Sequence, residues 1–233
     1  MYPCSSFKAK ETKKSLYDIY EILYSSFGSQ GWWPADSRFE TIVGAILTQS
    51  VSWTNVEKAI DNLKEYCRTL GMDLSPEMLK EINIELLAEL IRPSGYYNMK
   101  AKKLKAFVDF LYQEYKGNLA FMFKENLEVL RPRLLKVYGI GPETADSILL
   151  YAGNYPIFVI DAYTKRVFSR IGLTTKDVDY HSLQEMVMGN YSPDVKKYNE
   201  YHALIVELGK NICKKRNPDC KNCILANNYQ DVS

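Results

Sequence analysis

The chain has 233 residues, 46% of them hydrophobic and 25% charged, enough to bury a sizeable core as one large domain or two small ones. Its 30 basic and 28 acidic side chains leave a net charge of +2, which excludes a polycation argument for nucleic-acid binding and moves that case onto local clusters. No apolar run approaches the length of a bilayer span, and Met1-Tyr2-Pro3-Cys4-Ser5-Ser6 has no signal core, so no membrane partner and a cytoplasmic location are expected.

Helical periodicity runs through nearly the whole sequence. Leu16, Ile19, Tyr20, Leu23 and Phe27 form a first apolar stripe. A glycine-rich loop from Gly28 to Asp36 follows and holds Trp32-Trp33-Pro34. Ser37 with Glu40 makes a capping-box pattern ahead of Phe39, Ile42, Val43, Ile46 and Leu47. Thr54 with Glu57 repeats the signal before Val56, Ala59, Ile60 and Leu63. Ser75-Pro76 opens another helix, since proline is tolerated in a first turn. Arg92-Pro93-Ser94-Gly95 breaks the pattern. Asn98 is placed to cap a long helix with Ala101, Leu104, Val108, Leu111 and Tyr115 inward, ending near Gly117.

Further on, Arg131-Pro132 begins a short helix through Lys136, and Pro142 begins one that runs to Tyr151. Asp161 precedes a helix carrying Val167, Phe168 and Ile171. Ser192-Pro193 opens the last long helix, with Tyr198, Tyr201, Ile205, Leu208 and Ile212 in register. Ile157 to Ile160 is β-prone but short and reads as a buried connector. The pattern predicts an all-α fold of about ten helices joined by short loops.

Two features carry chemistry. Gly139 and Gly141 flank Ile140 in a tight turn between two helical patterns. Backbone amides at a helix start point outward with partial positive charge, and glycine lets a phosphate approach them. A plain helix-turn-helix corner uses glycine for geometry alone, so both readings stand on the turn by itself. Asp161 follows in apolar surroundings. As a carboxylate it can stabilise the positive charge that builds on a sugar when a nucleobase leaves, or orient water. As the residue before a helix it can equally be an N-cap.

Leu134 to Tyr151, with Leu-x-x-Val-x-Gly-Ile-Gly and Thr144-Ala145-Asp146, resembles the helix-hairpin-helix of the endonuclease III superfamily of DNA glycosylases. Phe158-Val159-Ile160-Asp161-Ala162-Tyr163-Thr164-Lys165-Arg166-Val167 is similar to the segment holding that family's catalytic aspartate. The resemblance spans roughly Ser37 to Cys223 and includes Phe39 to Gln49 and Gly95 to Ala101. It implies two helical domains with a DNA cleft between them. One is a six-helix barrel over 37–155 that ends in the hairpin. The other joins 1–36 to 156–233. It also implies contacts to DNA from Gln49 as a polar wedge and from Gly139, Ile140, Gly141, Thr144 and Lys136. A monovalent cation, Na or K, would sit on the carbonyls of Leu135, Val137 and Ile140. Asp161 takes the catalytic role, on a base extruded from the stack.

Bifunctional members of the family carry a lysine two residues after the second hairpin glycine, where it forms a Schiff base with the sugar. Here that position is Glu143, and neither Lys136 nor Lys165 occupies it. A carboxylate cannot form a Schiff base, so a monofunctional glycosylase is expected. Trp32-Trp33-Pro34 and Trp53 are similar to the aromatic pocket of bacterial 3-methyladenine DNA glycosylases of the endonuclease III type. Aromatic faces favour electron-deficient alkylated purines. The resemblance implies a base sandwiched by Trp33 and Trp53 beside Pro34. Core packing is the other reading of the tryptophans, with most weight at Trp32.

Cys213-x6-Cys220-x2-Cys223 matches three ligands of the family's [4Fe–4S] site, and the fourth place is Tyr229. The site is either a labile cluster with a non-thiolate fourth ligand or empty. Cys4 and Cys67 do not fit the spacing. Lys214 and Lys215 lie in a basic loop able to meet phosphates, or simply solvated. Lys100, Lys102, Lys103 and Lys105 form a second such cluster. The expected function is base-excision repair by a monomer on damaged double-stranded DNA, nucleoid-associated if bacterial or archaeal. The alternatives are a bifunctional glycosylase/AP lyase, and a non-catalytic DNA-structure-binding or redox-sensing module.

Overall fold

A computed structural model describes residues 12–228, with side chains from 16 to 226. Among the described residues there is no strand, and thirteen α-helices account for most of the chain. None of these helices is long and apolar enough to cross a membrane. The chain divides into two compact units, the continuous Trp33–Tyr155, and Met1–Trp32 with Pro156–Ser233.

The continuous unit holds α2 (Arg38–Leu47), α3 (Trp53–Thr69), α4 (Pro76–Glu81), α5 (Ile84–Leu90), α6 (Tyr97–Tyr115), α7 (Leu119–Met122), α8 (Leu127–Leu135) and α9 (Pro142–Ser147). Helix α2 is its axis. Every residue from Phe39 to Leu47 is buried, the polar Glu40 and Thr41 included. It packs against α3, α6 and α9. The Ser37 hydroxyl accepts from the Glu40 amide at 3.1 Å. The reciprocal half of a capping box is absent, because the Glu40 carboxylate accepts from the Asp36 amide at 3.2 Å and pairs with Lys64 at 2.7 Å.

Several boundaries differ from the sequence pattern for identifiable reasons. Helix α3 starts at Trp53, because the Ser52 carbonyl, not Thr54, accepts the first helical amide bonds, from Asn55 and Val56. Helix α6 starts ahead of Asn98, where Tyr96 takes a left-handed φ of 46° and its carbonyl accepts from the Lys100 amide. Helix α8 begins at Leu127, and Pro132 lies inside it. The Asn126 carbonyl accepts from Leu130 at 2.9 Å, and buried Leu130 and Leu134 hold the helix on both sides of the proline. The helix from Pro142 does not run unchanged to Tyr151. After Ser147 it widens into a π-helical turn, Ile148–Ala152, in which the Gly153 amide donates five residues back to the Ile148 carbonyl at 3.0 Å.

The second unit holds α1 (Thr12–Phe27), α10 (Ala162–Arg170), α11 (Tyr180–Met188), α12 (Val195–Asn211) and α13 (Ile224–Asn228). Helix α12 packs on α1 and α10 through buried Tyr198, Tyr201, Leu204, Ile205 and Leu208. It opens at Val195, not at Ser192-Pro193, because the Asp194 carboxylate accepts from the Lys197 amide at 3.0 Å. Helix α11 has no counterpart in the sequence pattern; Leu183 and Val187 are its only buried apolar residues, too few for a stripe. The Ile157–Ile160 stretch is a buried connector, as its composition suggested, and the Phe158 carbonyl accepts from the buried Gln184 amide at 2.6 Å.

Candidate active site

The hairpin is the turn between α8 and α9. The Ile140 amide donates to the Val137 carbonyl at 3.1 Å, and the Ile140 side chain is buried, pinning the turn to the core. Gly139 has φ 79°, and a Cβ there would stand 2.3 Å from Lys103 Cγ, so both backbone and space require glycine. Gly141 is different: its φ is −91°, it is exposed, and nothing lies within 4 Å of a Cβ built there. The open space beside it leaves the first amides of α9 approachable.

Gln49 does not stand free as a wedge. Its amide nitrogen donates to the Gly139 carbonyl at 3.0 Å and to the Thr144 hydroxyl at 2.9 Å, while its oxygen accepts from Lys103 Nζ. Gln49, two residues beyond α2, is thereby docked on the hairpin, and Lys103 joins it. Lys136 and Glu143 are exposed at the same turn. The Val137 carbonyl, one of three expected around a cation, already accepts the Ile140 amide and keeps one lone pair.

Trp33 and Trp53 meet edge to face, with ring centroids 5.1 Å apart and planes at 90°. A base stacked between two faces needs about 7 Å, two contacts of about 3.5 Å each. In this arrangement no slot separates the two rings, and a sandwich requires one indole to turn. Tyr151, a residue the sequence reading did not single out, completes the cluster at 5.0 Å from Trp33. The π-helical turn carries it, and such turns recur at functional sites. Gly44 gives Trp33 its seat, since a Cβ there would lie 3.1 Å from the indole Cζ2. Pro34 is exposed, and Trp32 belongs to the other compact unit.

Asp161 caps α10 and keeps one oxygen for something else. Oδ1 accepts from the Thr164 amide at 2.7 Å and the Thr164 hydroxyl at 2.9 Å. Oδ2 faces His202 Nε2 at 3.6 Å, an ion-pair distance too long for a good hydrogen bond. Burial pushes the carboxyl up, but the His202 charge together with the Thr164 hydrogen bonds outweighs it and holds Asp161 below the usual carboxylate range. The side chain is only 12% exposed, so this is an ionised group with little water around it. The cap and the poised acid coexist in one residue. His202 was not legible beforehand, because nothing in a sequence separation of 41 residues places it against Asp161.

Cys213, Cys220 and Cys223 line one cavity of about 20 Å³ with Val167, Arg170 and Leu208 around them. That volume holds about one water molecule. Burial pushes the Cys223 thiol up against the amide hydrogen bonds of Ala226 and Leu225, and the neighbouring Cys213 and Cys220 add to the rise. Arg170 reaches the Cys213 sulfur at 3.4 Å. Among the described residues no group of three or more His, Cys, Asp or Glu side chains is arranged to hold a metal ion. The residues as placed do not fit a [4Fe–4S] cluster. Tyr229 and Cys4 lie outside the described residues, and Cys67 is buried in α3. Exposed Lys214 and Lys215 keep a basic loop here, and Arg170 braces it by donating to both their carbonyls.

Residues 43–193 match the model of the HhH-GPD superfamily of base excision DNA repair proteins. A Methanocaldococcus jannaschii protein assigned to the DNA repair glycosylases is 48% identical over 219 residues, covering 92% of this chain and 96% of its own length. Endonuclease III of Sulfolobus acidocaldarius is 29% identical over 187 residues, 80% of this chain and 79% of that one. Among solved structures, the Helicobacter pylori 3-methyladenine DNA glycosylase MagIII bound to 1,N6-ethenoadenine is similar with a TM-score of 0.71 and 27% identity, over 86% of this chain and 97% of that one.

Proposed function

We propose, since the chain belongs to the HhH-GPD superfamily of base excision DNA repair proteins, that it is a monofunctional DNA glycosylase that excises alkylated purines. The observation that carries this reading is the Asp161 carboxylate, buried, held ionised, and with Oδ2 left uncommitted by the cap.

In this reading double-stranded DNA is the partner, bound by a monomer. The amides around Gly139, Ile140 and Gly141 meet phosphate oxygens, a backbone contact that gives affinity without sequence readout. A Na or K ion on the carbonyls of Leu135, Val137 and Ile140 would bridge to phosphate, and Lys136, Lys214 and Lys215 would add charge. The damaged base leaves the stack and is received by Trp33, Trp53, Pro34 and Tyr151, with Trp53 or Trp33 turning to open a slot. The C1′–N bond then breaks with its electron pair going to the base. The carboxylate of Asp161 stabilises the positive charge left on the sugar. Water adds through oxygen at C1′ and gives up its proton by way of Asp161. A base that is already cationic leaves as a neutral molecule, which suits an alkylated purine.

Three observations support the finer points. The aromatic cluster, and likeness to a 3-methyladenine glycosylase, favour an alkylated base. Glu143 at the lyase position favours hydrolysis alone. An iron–sulfur cluster takes no step in this reading.

The test is base release from methylated duplex DNA beside oxidised and deaminated duplexes. Release of methylated purine from the methylated duplex is expected, and Asp161→Asn should lower it at least about 100-fold with duplex binding retained. Release confined to oxidised or deaminated bases would overturn the lesion class. No release from any of them would overturn the enzyme reading.

A further inference from the structure

We propose that His202 is a positioning residue for Asp161, and that the neutral imidazole is the form in which Asp161 works, so that protonation of His202 switches base release off at acid pH. The proposal rests on the glycosylase reading above and deepens it.

Both side chains of the pair are held in place. Thr164 fixes Oδ1 of Asp161, so the carboxylate cannot rotate freely, and Oδ2 is presented to His202 Nε2 at 3.6 Å. His202 is 5% exposed. Its ring meets Phe158 edge-on, centroids 6.2 Å apart at 83°, and Phe158 is itself held between Tyr198 and Tyr201 while its carbonyl is tied to Gln184. Both partners are therefore immobilised by packing, in surroundings where charge is poorly screened.

Other charged groups lie on the elements packed against the pair. On α12, Glu200 accepts from the Ser29 hydroxyl and the Gln30 amide. The Tyr198 hydroxyl, one turn away, is buried with no hydrogen-bond partner among the described residues. On α10, Arg166 donates to the carbonyls of Gly209 and Cys213, and Lys165 is half-buried. On α1, Asp18 and Glu21 act on Tyr191. Near the connector, the Tyr180 hydroxyl accepts from the Ile160 amide at 3.4 Å.

The chemical consequence follows from charge. Asp161 helps only by placing a negative charge near a sugar that is becoming positive. An imidazolium 3.6 Å from Oδ2 cancels much of that field, although it keeps the carboxylate ionised. A neutral imidazole fixes the carboxylate sterically and leaves its charge for the sugar. Histidine is the side chain whose charge most readily changes near neutral pH, which makes a pH profile the natural readout.

The protein holds two histidines, and His181 is exposed, so a His181→Gln background isolates the His202 ring for NMR titration. In that background, without DNA, Asp161→Asn should move the His202 titration to lower pH; an unmoved midpoint overturns the pairing whatever the activity. Single-turnover base release from methylated duplex is then followed from pH 5 to 8.5. The expected profile falls roughly tenfold per pH unit below the His202 midpoint. In His202→Gln the acid limb should vanish, with release at high pH kept near that of wild type. An acid limb that persists in His202→Gln overturns the proposal. Wild-type protein that releases no base overturns the glycosylase reading instead, while the NMR result stands on its own.

Discussion

Arg131 and Asp146 lock the two helices of the hairpin together. Arg131 Nε lies 2.7 Å from Asp146 Oδ1 and Nη2 lies 3.0 Å from Oδ2, a bidentate pair in which the carboxylate is fully buried. Arg131 belongs to α8 and Asp146 to α9, so the pair fixes the angle at which Gly139-Ile140-Gly141 is presented. Arg131→Met leaves a buried charge without its counter-ion and should destabilise the protein by about 3–5 kcal/mol in urea unfolding. The double variant with Asp146→Leu should recover much of that loss. A loss of under about 1 kcal/mol in the single variant would show that the pair does not hold the hairpin.

Lys100 gives a pH signature of stability. Its ammonium is buried, 2% exposed, and donates to the carbonyls of Leu47 at 2.8 Å and Ser94 at 2.6 Å, joining the end of α2 to the turn before α6. Burial, and then the Lys103 charge, push it down to about 8 from 10.5. Below pH 8 both folded and unfolded chains carry the proton, and the cost of the buried charge is present in full. Between about 8 and 10.5 the folded state releases its proton first, so stability should rise with pH, by about 3 kcal/mol in total. Urea midpoints measured across this window should show the rise in wild type and lose it in Lys100→Met.

Glu143 predicts the outcome of borohydride trapping on abasic DNA. The unmutated protein should give no covalent adduct, because a carboxylate cannot form the Schiff base that borohydride reduces. Glu143 is exposed in the first turn of α9, so Glu143→Lys is tolerated sterically and should give an adduct. A strong adduct from the unmutated protein would point to another amine and to a bifunctional enzyme.

Tyr151 should shape the lesion preference. It packs 5.0 Å from Trp33 on the π-helical turn and is half-buried. Tyr151→Ala should weaken base release from methylated duplex by roughly 10- to 100-fold, the scale of one aromatic stacking contact of about 1–3 kcal/mol. Tyr151→Phe should change it little. Equal loss in both would assign the effect to the hydroxyl and not to the ring.

The hairpin was legible because its signal is local. A glycine at φ 79° and another with open space around it announce themselves as Gly-x-Gly between two helical stripes. Asp161 was legible as a cap for the same reason, since capping involves residues three apart. Helix boundaries at Ser52, Tyr96 and Asp194 were displaced because competing caps lie within one to three residues of one another. The hydrogen bonds accepted by Ser52, Tyr96 and Asp194, and not the pattern, mark where each helix begins.

The sequence by itself determined the helical class, the glycine turn, the carboxylate before α10 and the absence of a lysine at position 143, all set by neighbours along the chain. Tertiary structure alone decided that His202 faces Asp161, that Lys103 and Gln49 dock on the hairpin, that Tyr151 joins Trp33, and that Trp53 meets Trp33 on edge. Those contacts join residues tens of positions apart, and packing selects each partner from many chemically equivalent ones. Local periodicity carries no information about that selection.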